Sequence, residues 1–463
     1  MEKFDLVVIG AGPGGYPAAI RAAQLGASVA IVEKEQLGGT CLNRGCIPTK
    51  TLIASAEVFL AARNGAEMGI RTAEVSVDYG AMVGRKDGVV EKLRTGIASL
   101  LKANGVSSFS GTASFVSSRE LKVTTADGEQ RISCGKVIIA TGSAPVVPGF
   151  VPKDGPVYTS TSLLELTELP ESMIVLGGGY IGCEFACMYA ALGVKVTVVE
   201  MLDDVLMLLD RDVRAEIKRS MGNLGIEVLT GAPLEDIKAD SGGVSGRAGD
   251  KQVSAASMLV SVGRRAVTEG LGLENIGLET GEGGCIEVHE DLRTAVPGVF
   301  AIGDVNGIIQ LAHAATAQGL VAAENAVGGR QLANEKLVPA CIFTMPEVGA
   351  VGLTEAEAKE QGLAVKKAKF PFMACGKALA AGTGGGFVKL LADEATGRLL
   401  GAVAVGPHAT DLIGEAALAI RSELTVRELG NTIHAHPTLA EVWMEAAHVL
   451  EGHPVHSAPP TRR

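Results

Sequence analysis

Short runs of apolar residues recur along the chain, and most of them end in glycine. The first run, residues 4–9, is rich in Val and Ile and precedes the glycine-rich segment 10–15 and an alanine-rich stretch over 18–25. An apolar run, a glycine turn and helix-forming residues are typical of a strand, a tight turn and a helix. A second apolar run over 28–32 ends at Glu33. The pattern predicts that the chain starts with a β-α-β unit.

The same unit returns further along the chain. A run over 173–176 leads into the glycine-rich segment 177–182, a predicted helix to Leu192 and a strand over 195–199 that ends at Glu200. The span from first glycine to glutamate is 33 − 10 = 23 positions in the first copy and 200 − 177 = 23 in the second, with an offset of 177 − 10 = 167. A constant offset indicates two copies of one structural unit.

Three further apolar runs, over 136–140, 258–262 and 299–302, are each followed by a glycine within two residues. From about residue 339 onward no further glycine fingerprint occurs. Parallel sheets bind ligands at the carboxyl ends of their strands. We therefore predict an α/β fold with two Rossmann-like dinucleotide-binding domains and a C-terminal α+β domain. The predicted boundaries are 1–150 for the first part of one nucleotide domain, 151–268 for the other, 269–338 for the return to the first, and 339–463 for the last domain.

Both glycine turns carry the spacing G-x-G-x-x-G, which provides a tight turn, close approach of the backbone to a pyrophosphate, and close packing of helix on strand. A single such turn is weak evidence, because glycine turns also join strands to helices for packing alone. Here each copy is followed by a carboxylate at a strand end, where it can accept hydrogen bonds from ribose. We predict two dinucleotide sites, formed by Gly10, Gly12, Gly15 and Glu33, and by Gly177, Gly179, Tyr180, Ile181, Gly182 and Glu200.

The second nucleotide is predicted to be NAD. Glu200 is followed by Met-Leu-Asp-Asp over 201–204, which offers no Arg or Lys for a 2′-phosphate. The carboxylates would repel that phosphate.

Cys41 and Cys46 lie shortly after Glu33 and just before a predicted helix over 51–60. A C-x4-C pair alone is compatible with two packed thiols or half of a metal site. A neighbouring nucleotide unit favours a redox pair near a helix N-terminus over both of these interpretations. A disulfide exchanges hydride poorly with nicotinamide, so a flavin is expected to mediate. The first nucleotide is therefore predicted to be FAD, and no metal is predicted.

Composition narrows the class of protein. The 41 basic and 52 acidic residues give a net charge of 41 − 52 = −11, which argues against a nucleic-acid surface. We find no long uninterrupted apolar segment, and the first residues are acidic where a signal peptide would be basic. We expect a soluble, cytoplasmic protein without a membrane partner.

The thiols of Cys183, Cys187, Cys285 and Cys375 are expected to be buried, and Met207 with its leucine neighbours is expected in the core.

The chain resembles the pyridine nucleotide-disulfide oxidoreductase family from end to end. The resemblance rests on six segments, namely 10–15, 39–50, 140–142, 177–182, 301–304 and 434–438. It implies that Cys41 exchanges with the substrate sulfur, that Cys46 forms a charge-transfer thiolate beside the flavin, and that Lys50 lies near the flavin and pairs with Glu184.

The resemblance also implies positions around both cofactors. Asp304 would bind the ribityl and pyrophosphate region of FAD, and Tyr180 would lie over the flavin as a gate. The remaining positions implied for FAD are Gly111, Thr141, Gly142, Ser143, and Ala312 with His313 at a helix start; Gly263 would approach NAD.

His436 precedes Pro437, and such a histidine taken alone is more often part of a structured turn than a base. By resemblance His436 is the catalytic base, oriented by Glu441, and it acts on the thiols of the partner subunit of a homodimer. His434 fits a packing role better.

The implied reaction is oxidation of dihydrolipoyl groups by NAD. The implied partner is a lipoyl-bearing acyltransferase or lipoyl carrier protein of a 2-oxo acid dehydrogenase or glycine cleavage complex. The alternatives are a glutathione- or mercuric-type reductase of the same family, a diaphorase, and a scaffold without turnover.

Overall fold

The first nucleotide unit begins with the predicted strand, turn and helix. The computed structural model describes residues 1–334 and 337–458, so residues 459–463 of the predicted last domain lie outside the described part. The elements of the first 145 residues are β1 (Glu2–Ile9), α1 (Gly15–Gln24), β2 (Val29–Glu33), α2 (Gly39–Arg44), α3 (Cys46–Arg63), α4 (Tyr79–Ala103), β3 (Ser107–Ser110), β4 (Thr112–Ser117), β5 (Glu120–Thr125), β6 (Gly128–Ile139) and β7 (Ser143–Pro145).

The sheet of this unit has the order β3-β2-β1-β6-β5-β4. β1 lies parallel to β2 and β6, whereas β5 pairs antiparallel with the first half of β6. The carboxyl half of β1 is apolar because both of its faces are buried. Leu6 and Val8 pack with residues of α1, of α4 and of a helix that follows later in the chain, whereas Val7 and Ile9 pack with β4 and β5. The carboxyl ends of the parallel strands carry the turn 10–15 to one edge of the sheet, where a ligand site is expected.

The second unit is inserted after β7. Its elements are β8 (Val157–Thr159), β9 (Ser172–Leu176), α5 (Tyr180–Ala191), β10 (Lys195–Val199), α6 (Arg211–Asn223), β11 (Glu227–Leu229), β12 (Leu234–Asp240), β13 (Gly243–Ala248), β14 (Lys251–Ala255), β15 (Ser257–Val260) and β16 (Arg264–Ala266). Its parallel sheet has the order β11-β10-β9-β15-β8, and β12, β13 and β14 form a separate antiparallel sheet.

The two copies share the same strand register. In the first copy Leu6 pairs with Val29, and in the second Met173 pairs with Val196. Each residue of the second pair lies 167 positions after its counterpart in the first pair, because 173 − 6 = 167 and 196 − 29 = 167. This is the offset found in the sequence. The repeat therefore extends from the glycine positions to the pairing of the backbone.

The chain then returns to the first unit through β17 (Val299–Ala301) and α7 (Ala312–Ala326). β17 joins the first sheet beside β6. The outgoing strand β7 and the returning strand β16 pair antiparallel, so the two crossings between the nucleotide units form one short ribbon. Further single-turn 3₁₀ helices lie at Gly65–Met68, Ser162–Glu165, Leu273–Ile276, Glu282–Gly284, Gly303–Asn306 and Phe372–Ala374.

The last part of the chain is an antiparallel sheet with helices on it, in the order β18-β19-β22-β21-β20. Its core holds Trp443, Phe370 and Phe372, all fully buried. Its elements are β18 (Ala340–Ile342), β19 (Glu347–Gly352), α8 (Glu355–Glu360), β20 (Val365–Pro371), α9 (Gly376–Ala380), β21 (Phe387–Asp393), β22 (Leu399–Gly406), α10 (Ala409–Arg421), α11 (Val426–Asn431) and α12 (Glu441–Leu450). The domain boundaries drawn from the sequence stay predictions.

The segment Gly39–Arg63 is the one helical stretch among the described residues that is long and apolar enough to cross a membrane, with a mean hydropathy of 1.2 over 18 residues. Leu52, Ile53 and Ala56 of α3 are buried inside the protein, where α3 packs against α4 and α5. About 33% of the most apolar 18-residue window is buried in this way.

The expectation that Met207 and its neighbours lie in the core is wrong for part of the segment. Met207 is 44% exposed and Leu208 is 76% exposed, whereas Leu206 and Leu209 are buried. The segment lies between β10 and α6 without regular structure, so only some of its side chains turn inward. Cys183, Cys187 and Cys375 are buried as expected, and Cys285 is half-buried.

A buried lysine joins the second nucleotide unit to the C-terminal sheet. The ammonium of Lys389 is bonded to Asp210 at 2.7 Å and to Asp212 and Glu355 at 2.9 Å. Burial alone raises the pKa of Asp212 and Glu355, but the neighbouring lysines outweigh it and hold both pKa values below the ordinary 3.8 and 4.5. The stabilisation from these two carboxylates is therefore complete above those ordinary values and is lost as the pH falls below them.

Lys389→Met is expected to lower the free energy of unfolding by about 3–5 kcal/mol, because it leaves three carboxylates without their buried cation. Denaturant unfolding of the flavin-loaded protein measures this. The control is Lys367→Met, which removes a 57% exposed partner of Glu355 and is expected to cost less than about 1 kcal/mol. Equal stability of the two variants would contradict the prediction.

Candidate active site

A large cavity of about 1780 Å³ lies where the carboxyl ends of the two parallel sheets face each other. Pockets for one small ligand are usually about 300–1,000 Å³, so this cavity has room for more than one. Most of the residues predicted for cofactor binding line it, namely Gly10, Gly12, Glu33, Lys50, Gly111, Thr141, Gly142, Ser143, Asp304, Ala312, His313, Gly177, Gly179, Tyr180, Ile181, Glu200 and Gly263.

Within each glycine turn the three glycines have different surroundings. A Cβ on Gly15 would lie 1.9 Å from the carbonyl oxygen of Gly10, and one on Gly182 would lie 2.0 Å from that of Gly177. These third glycines do not line the cavity. They allow the helix to pack against the turn, so their contribution to a nucleotide site is indirect.

The middle glycines face open space. A Cβ on Gly179 would meet nothing within 4 Å, and one on Gly12 would meet only the Cα of Gly39 at 3.9 Å. Both positions lie at the start of a helix, α5 and α1 respectively, where N–H groups point outward. The turns therefore fit the pyrophosphates of two dinucleotides.

The two glutamates fix these turns in the same way. Glu33 accepts the N–H of Ala11 at 2.7 Å, and Glu200 accepts the N–H of Gly178 at 2.6 Å. The second oxygen of each carboxylate accepts an N–H from two residues further on, at 2.9 and 2.8 Å. A carboxylate has about four acceptor sites, so both glutamates can still receive ribose hydroxyls.

Two basic side chains lie closer to the second turn than the sequence indicated. Arg214 and Lys218 of α6 approach the carboxylate of Asp204, at 3.3 and 2.9 Å. Asp204 and the fixed Glu200 line the cavity, whereas Arg214 and Lys218 do not. Both cations are thus paired behind a negatively charged rim.

Cys41 and Cys46 lie on two successive helices that meet at Gly45. Cys41 is in α2, and Cys46 is the first residue of α3, so this helix starts earlier than the predicted residue 51. A helix N-terminus favours a thiolate. A Cβ on Gly45 would lie 2.9 Å from the carbonyl oxygen of Thr40, which explains the glycine at the bend.

The two thiols are free and half-buried, as in a reduced dithiol. The hydrogen bond from Cys41, with the charge of Lys50, lowers the pKa of Cys46 to about 7, although burial opposes this. The same hydrogen bond, followed by burial, raises the pKa of Cys41 well above its usual range. Cys46 is therefore the thiolate of the pair at and above neutral pH.

Lys50 is held in place by contacts with two other parts of the chain, at Glu184 and at Phe343. Its ammonium, on α3, bonds Glu184 of α5 at 2.7 Å and lies 4.5 Å from the ring centroid of Phe343. The other oxygen of Glu184 accepts the N–H of Phe343 at 2.9 Å. Glu184 is buried, so its carboxylate is a fixed partner that positions the Lys50 ammonium on the Cys46 side of the cavity.

The first-unit side of the cavity presents polar groups that suit a flavin nucleotide. Ser143 donates to Asp304 in a short hydrogen bond, and Thr141 donates to the carbonyl of Val267 at 2.6 Å. α7 begins at Ala312 without a side-chain cap. The first N–H groups of a helix have no intrahelical partner, so those of α7 are available to a ligand where Ala312 and His313 line the cavity. His313 is bonded to the carbonyl of Pro339 at 2.7 Å.

His436 and Glu441 lie away from the cavity of their own chain. Nδ1 of His436 is 2.8 Å from Glu441, which also accepts the N–H of Thr438 at 2.8 Å. Burial alone raises the pKa of Glu441, but these two bonds outweigh it and lower that pKa. The His436 side chain is 78% exposed, as expected for a group that acts outside its own chain. The peptide before Pro437 is cis.

His434 differs from His436 in its surroundings. Its side chain is 5% exposed and bonds Glu415 at 2.8 Å. It therefore has the packing role expected for it.

Arg264 and Cys341 are among the residues that line the cavity but were not predicted as site residues. Arg264 lies at the start of β16, and Cys341 lies in β18. Cys341 is a single thiol whose pKa is raised by burial, and the sequence pattern offers no signal for it. Arg264 directly follows Gly263, which was predicted to approach NAD. That neighbouring position is the signal in the sequence that could have indicated Arg264.

Comparison with known proteins agrees with this site. Residues 4–319 match the pyridine nucleotide-disulphide oxidoreductase family, and residues 338–447 match the dimerisation domain of that family. The chain is 44% identical to dihydrolipoyl dehydrogenase of Chlamydia pneumoniae, over 99% of both chains. It is 45% identical to dihydrolipoyl dehydrogenase of Halobacterium salinarum, over 98% of this chain and 97% of that one.

Solved structures show the same architecture. LpdA from Mycobacterium tuberculosis is 30% identical, with a TM-score of 0.91 over 97% of this chain and 99% of that one. The HOCl-induced flavoprotein disulfide reductase RclA from Escherichia coli, as its Cu(II) complex, is also 30% identical, with a TM-score of 0.89 over 97% of this chain and 100% of that one.

The chain belongs to the pyridine nucleotide-disulphide oxidoreductase family. The fold class, the oxidoreductase class and the cofactors FAD and NAD predicted from the sequence are confirmed. The C-terminal part is a dimerisation domain, which supports a homodimer.

Proposed function

We propose that this protein is a dihydrolipoyl dehydrogenase, which oxidises protein-bound dihydrolipoyl groups to the cyclic disulfide and reduces NAD⁺ to NADH. The observation that carries the proposal is the dithiol of Cys41 and the acidified Cys46, in one cavity with both glycine turns. The names of the relatives at 44–45% identity support this substrate. The proposed partners are a lipoyl-bearing acyltransferase or lipoyl carrier protein, and the proposed compartment is the cytoplasm.

Cys41, Cys46 and His436 have separate roles in the first half-reaction, in which the substrate reduces the enzyme. In the oxidised enzyme Cys41 and Cys46 form a disulfide. His436 of the partner subunit takes a proton from one substrate thiol, and the resulting thiolate attacks Cys41 and releases Cys46 as a thiolate. The second substrate thiol then attacks the first substrate sulfur, and its proton passes to Cys41, which leaves as a thiol. Two substrate S–H groups have become one S–S bond, and the enzyme holds the two electrons as its dithiol.

The surroundings of Cys46 suit the electron pair that it receives. The Lys50 charge, fixed by Glu184, and the start of α3 both stabilise negative charge on the Cys46 sulfur. FAD, when bound along the Gly10 turn, would accept these electrons and deliver them to NAD as hydride. Gly177, Gly179 and Glu200 would hold the NAD on the other side of the cavity.

The first experiment is the initial rate of NADH formation from dihydrolipoamide, measured with NAD⁺ and with NADP⁺. We expect rapid turnover with NAD⁺ and turnover slower by about a hundredfold with NADP⁺, because the rim of Glu200 and Asp204 opposes a 2′-phosphate and Asp204 already pairs the nearby cations.

Equal rates with the two nucleotides would contradict the NAD assignment. A protein that is yellow with bound flavin but inactive toward dihydrolipoamide would contradict the substrate assignment. It would leave the glutathione- or mercuric-type alternatives, which are tested by the consumption of NADH or NADPH in the presence of the corresponding disulfide or metal ion.

A further inference from the structure

Arg264 lies where the chain passes from the second nucleotide unit back to the first. It is the first residue of β16, and the paired strand β7 begins at Ser143. The side chain of Arg264 is only 13% exposed. An arginine buried to this degree at a crossing between two cofactor units needs partners that compensate for its charge.

Those partners are residues of the proposed flavin site. Nε of Arg264 donates to the hydroxyl of Ser143 at 2.7 Å, and Nη2 donates to the Ser143 carbonyl at 2.8 Å. The hydroxyl of Ser143 in turn donates to Asp304, whose carboxylate lies 3.9 Å from Nε of Arg264. The guanidinium thus holds both the backbone and the side chain of Ser143, and through it Asp304.

The charge of Arg264 also acts on the redox pair. Arg264 and Cys46 line the same cavity. Burial lowers the pKa of Arg264, and the negative charges of Asp304 and Cys46 oppose that change. The attraction is reciprocal, because the charge of Arg264 favours the thiolate form of Cys46.

We propose that Arg264 is a positioning residue of the flavin site, which fixes Ser143 and Asp304 toward FAD and adds positive charge on the Cys46 side of the cavity. The proposal rests on the assignment of this part of the cavity to FAD. It extends the proposed function, because neither Lys50 nor the helix start of α3 accounts for how Asp304 is held.

The experiment compares Arg264→Gln and Arg264→Lys with Arg265→Gln. Arg265 is the matched control, because it follows in the same strand but is 54% exposed, and its ion pair within the described part of the chain is with Glu269. Two quantities are measured on the purified, flavin-loaded proteins. One is the rate of FAD release, followed by its fluorescence. The other is the pH dependence of the charge-transfer absorbance of the Cys46 thiolate beside oxidised flavin.

Arg264→Gln is expected to release FAD about tenfold faster, because charge-assisted hydrogen bonds are lost. It is also expected to raise the pKa read from the charge-transfer band by roughly half a unit to one unit. Arg264→Lys is expected to release FAD as fast as Arg264→Gln, since an ammonium cannot reproduce the two-pronged contact, but to keep the pKa near that of the wild type. Arg265→Gln is expected to change neither.

The proposal is overturned if Arg264→Gln matches Arg265→Gln in both quantities, or if Arg264→Lys shows the same pKa as Arg264→Gln. If Arg264→Gln fails to fold, Ser143→Ala tests the same contact from its other side. It is expected to speed FAD release without a change in the pKa, and unchanged release would overturn the proposal. Neither measurement uses dihydrolipoamide, so an incorrect substrate assignment cannot be confused with failure of this proposal.

Discussion

Cys46→Ser is expected to lower the rate of NAD⁺ reduction by dihydrolipoamide by at least about 10³-fold. Serine has no sulfur to form the disulfide with Cys41, so the electron pair of the substrate has no acceptor next to the flavin. The flavin and the fold should be retained, because Cys46 lies at the surface of the cavity rather than in the hydrophobic core. The charge-transfer absorbance of the reduced enzyme, expected above a pH of about 7 from the pKa of Cys46, should be absent.

The matched control for this prediction is Cys134→Ser. Cys134 lies in β6 outside the cavity, and burial raises its pKa to about 11, so it is inert at neutral pH. Its variant should turn over like the wild type. Persistent oxidation of dihydrolipoamide by Cys46→Ser would refute the disulfide mechanism and favour a diaphorase. If Cys46→Ser lacked turnover but restored the cellular phenotype of a deletion, the scaffold role would be supported instead.

His436→Gln is expected to lower kcat/KM for dihydrolipoamide by about 10²–10⁴-fold, the usual contribution of a general base. Glutamine keeps much of the size of the side chain but cannot take the proton of the substrate thiol. Reduction of an artificial electron acceptor by NADH should be unchanged, because that reaction does not require a substrate thiol to lose its proton. Stopped-flow reduction of the enzyme by dihydrolipoamide measures the affected step directly.

Two variants separate the base from its surroundings. Glu441→Gln removes the charge that orients Nδ1 of His436 and should lower kcat/KM less than His436→Gln. His434→Gln alters a buried histidine bonded to Glu415 and should affect stability rather than the rate. Loss of activity in His434→Gln at unchanged stability, with full activity in His436→Gln, would reverse the assignment of the base.

A subunit-mixing experiment tests whether His436 acts across the dimer. Cys46→Ser and His436→Gln chains are each expected to be inactive alone. A mixed dimer has one site with intact Cys46 from one chain and intact His436 from the other. Random reassembly should then recover about a quarter of the wild-type activity, from half of the dimers with one working site each. No recovery in verified mixed dimers would show that the histidine serves its own chain.

The repeat explains why so much of the nucleotide sites could be predicted. The glycines mark the turn and the start of the helix, and the glutamate marks the end of the next strand. One β-α-β unit needs all of these at fixed distances along the chain, so their spacing predicts the whole unit. The offset of 167 therefore reappears in the strand pairing and in the N–H groups that Glu33 and Glu200 accept.

Features that depend on contacts distant in sequence were harder to predict. The start of α3 was placed five residues late, because Pro48 and Thr49 are poor helix formers whose position in a first turn is set by packing around Cys46. The exposure of Met207 follows from an irregular segment without periodicity. Arg264 was overlooked because its importance lies in contacts with Ser143 and Asp304, which are far away in the chain.

The two glycine turns are fixed by the same set of hydrogen bonds, and this affects how long each nucleotide stays bound. Glu33 and Glu200 make the same backbone bonds, so neither turn must become ordered when a nucleotide arrives, and the entropic cost of binding is low at both. A resident FAD and an NAD that is exchanged in every catalytic cycle therefore cannot differ in residence time because of the turns. The difference is expected to come from contacts that the second copy does not repeat, such as Asp304 and the start of α7.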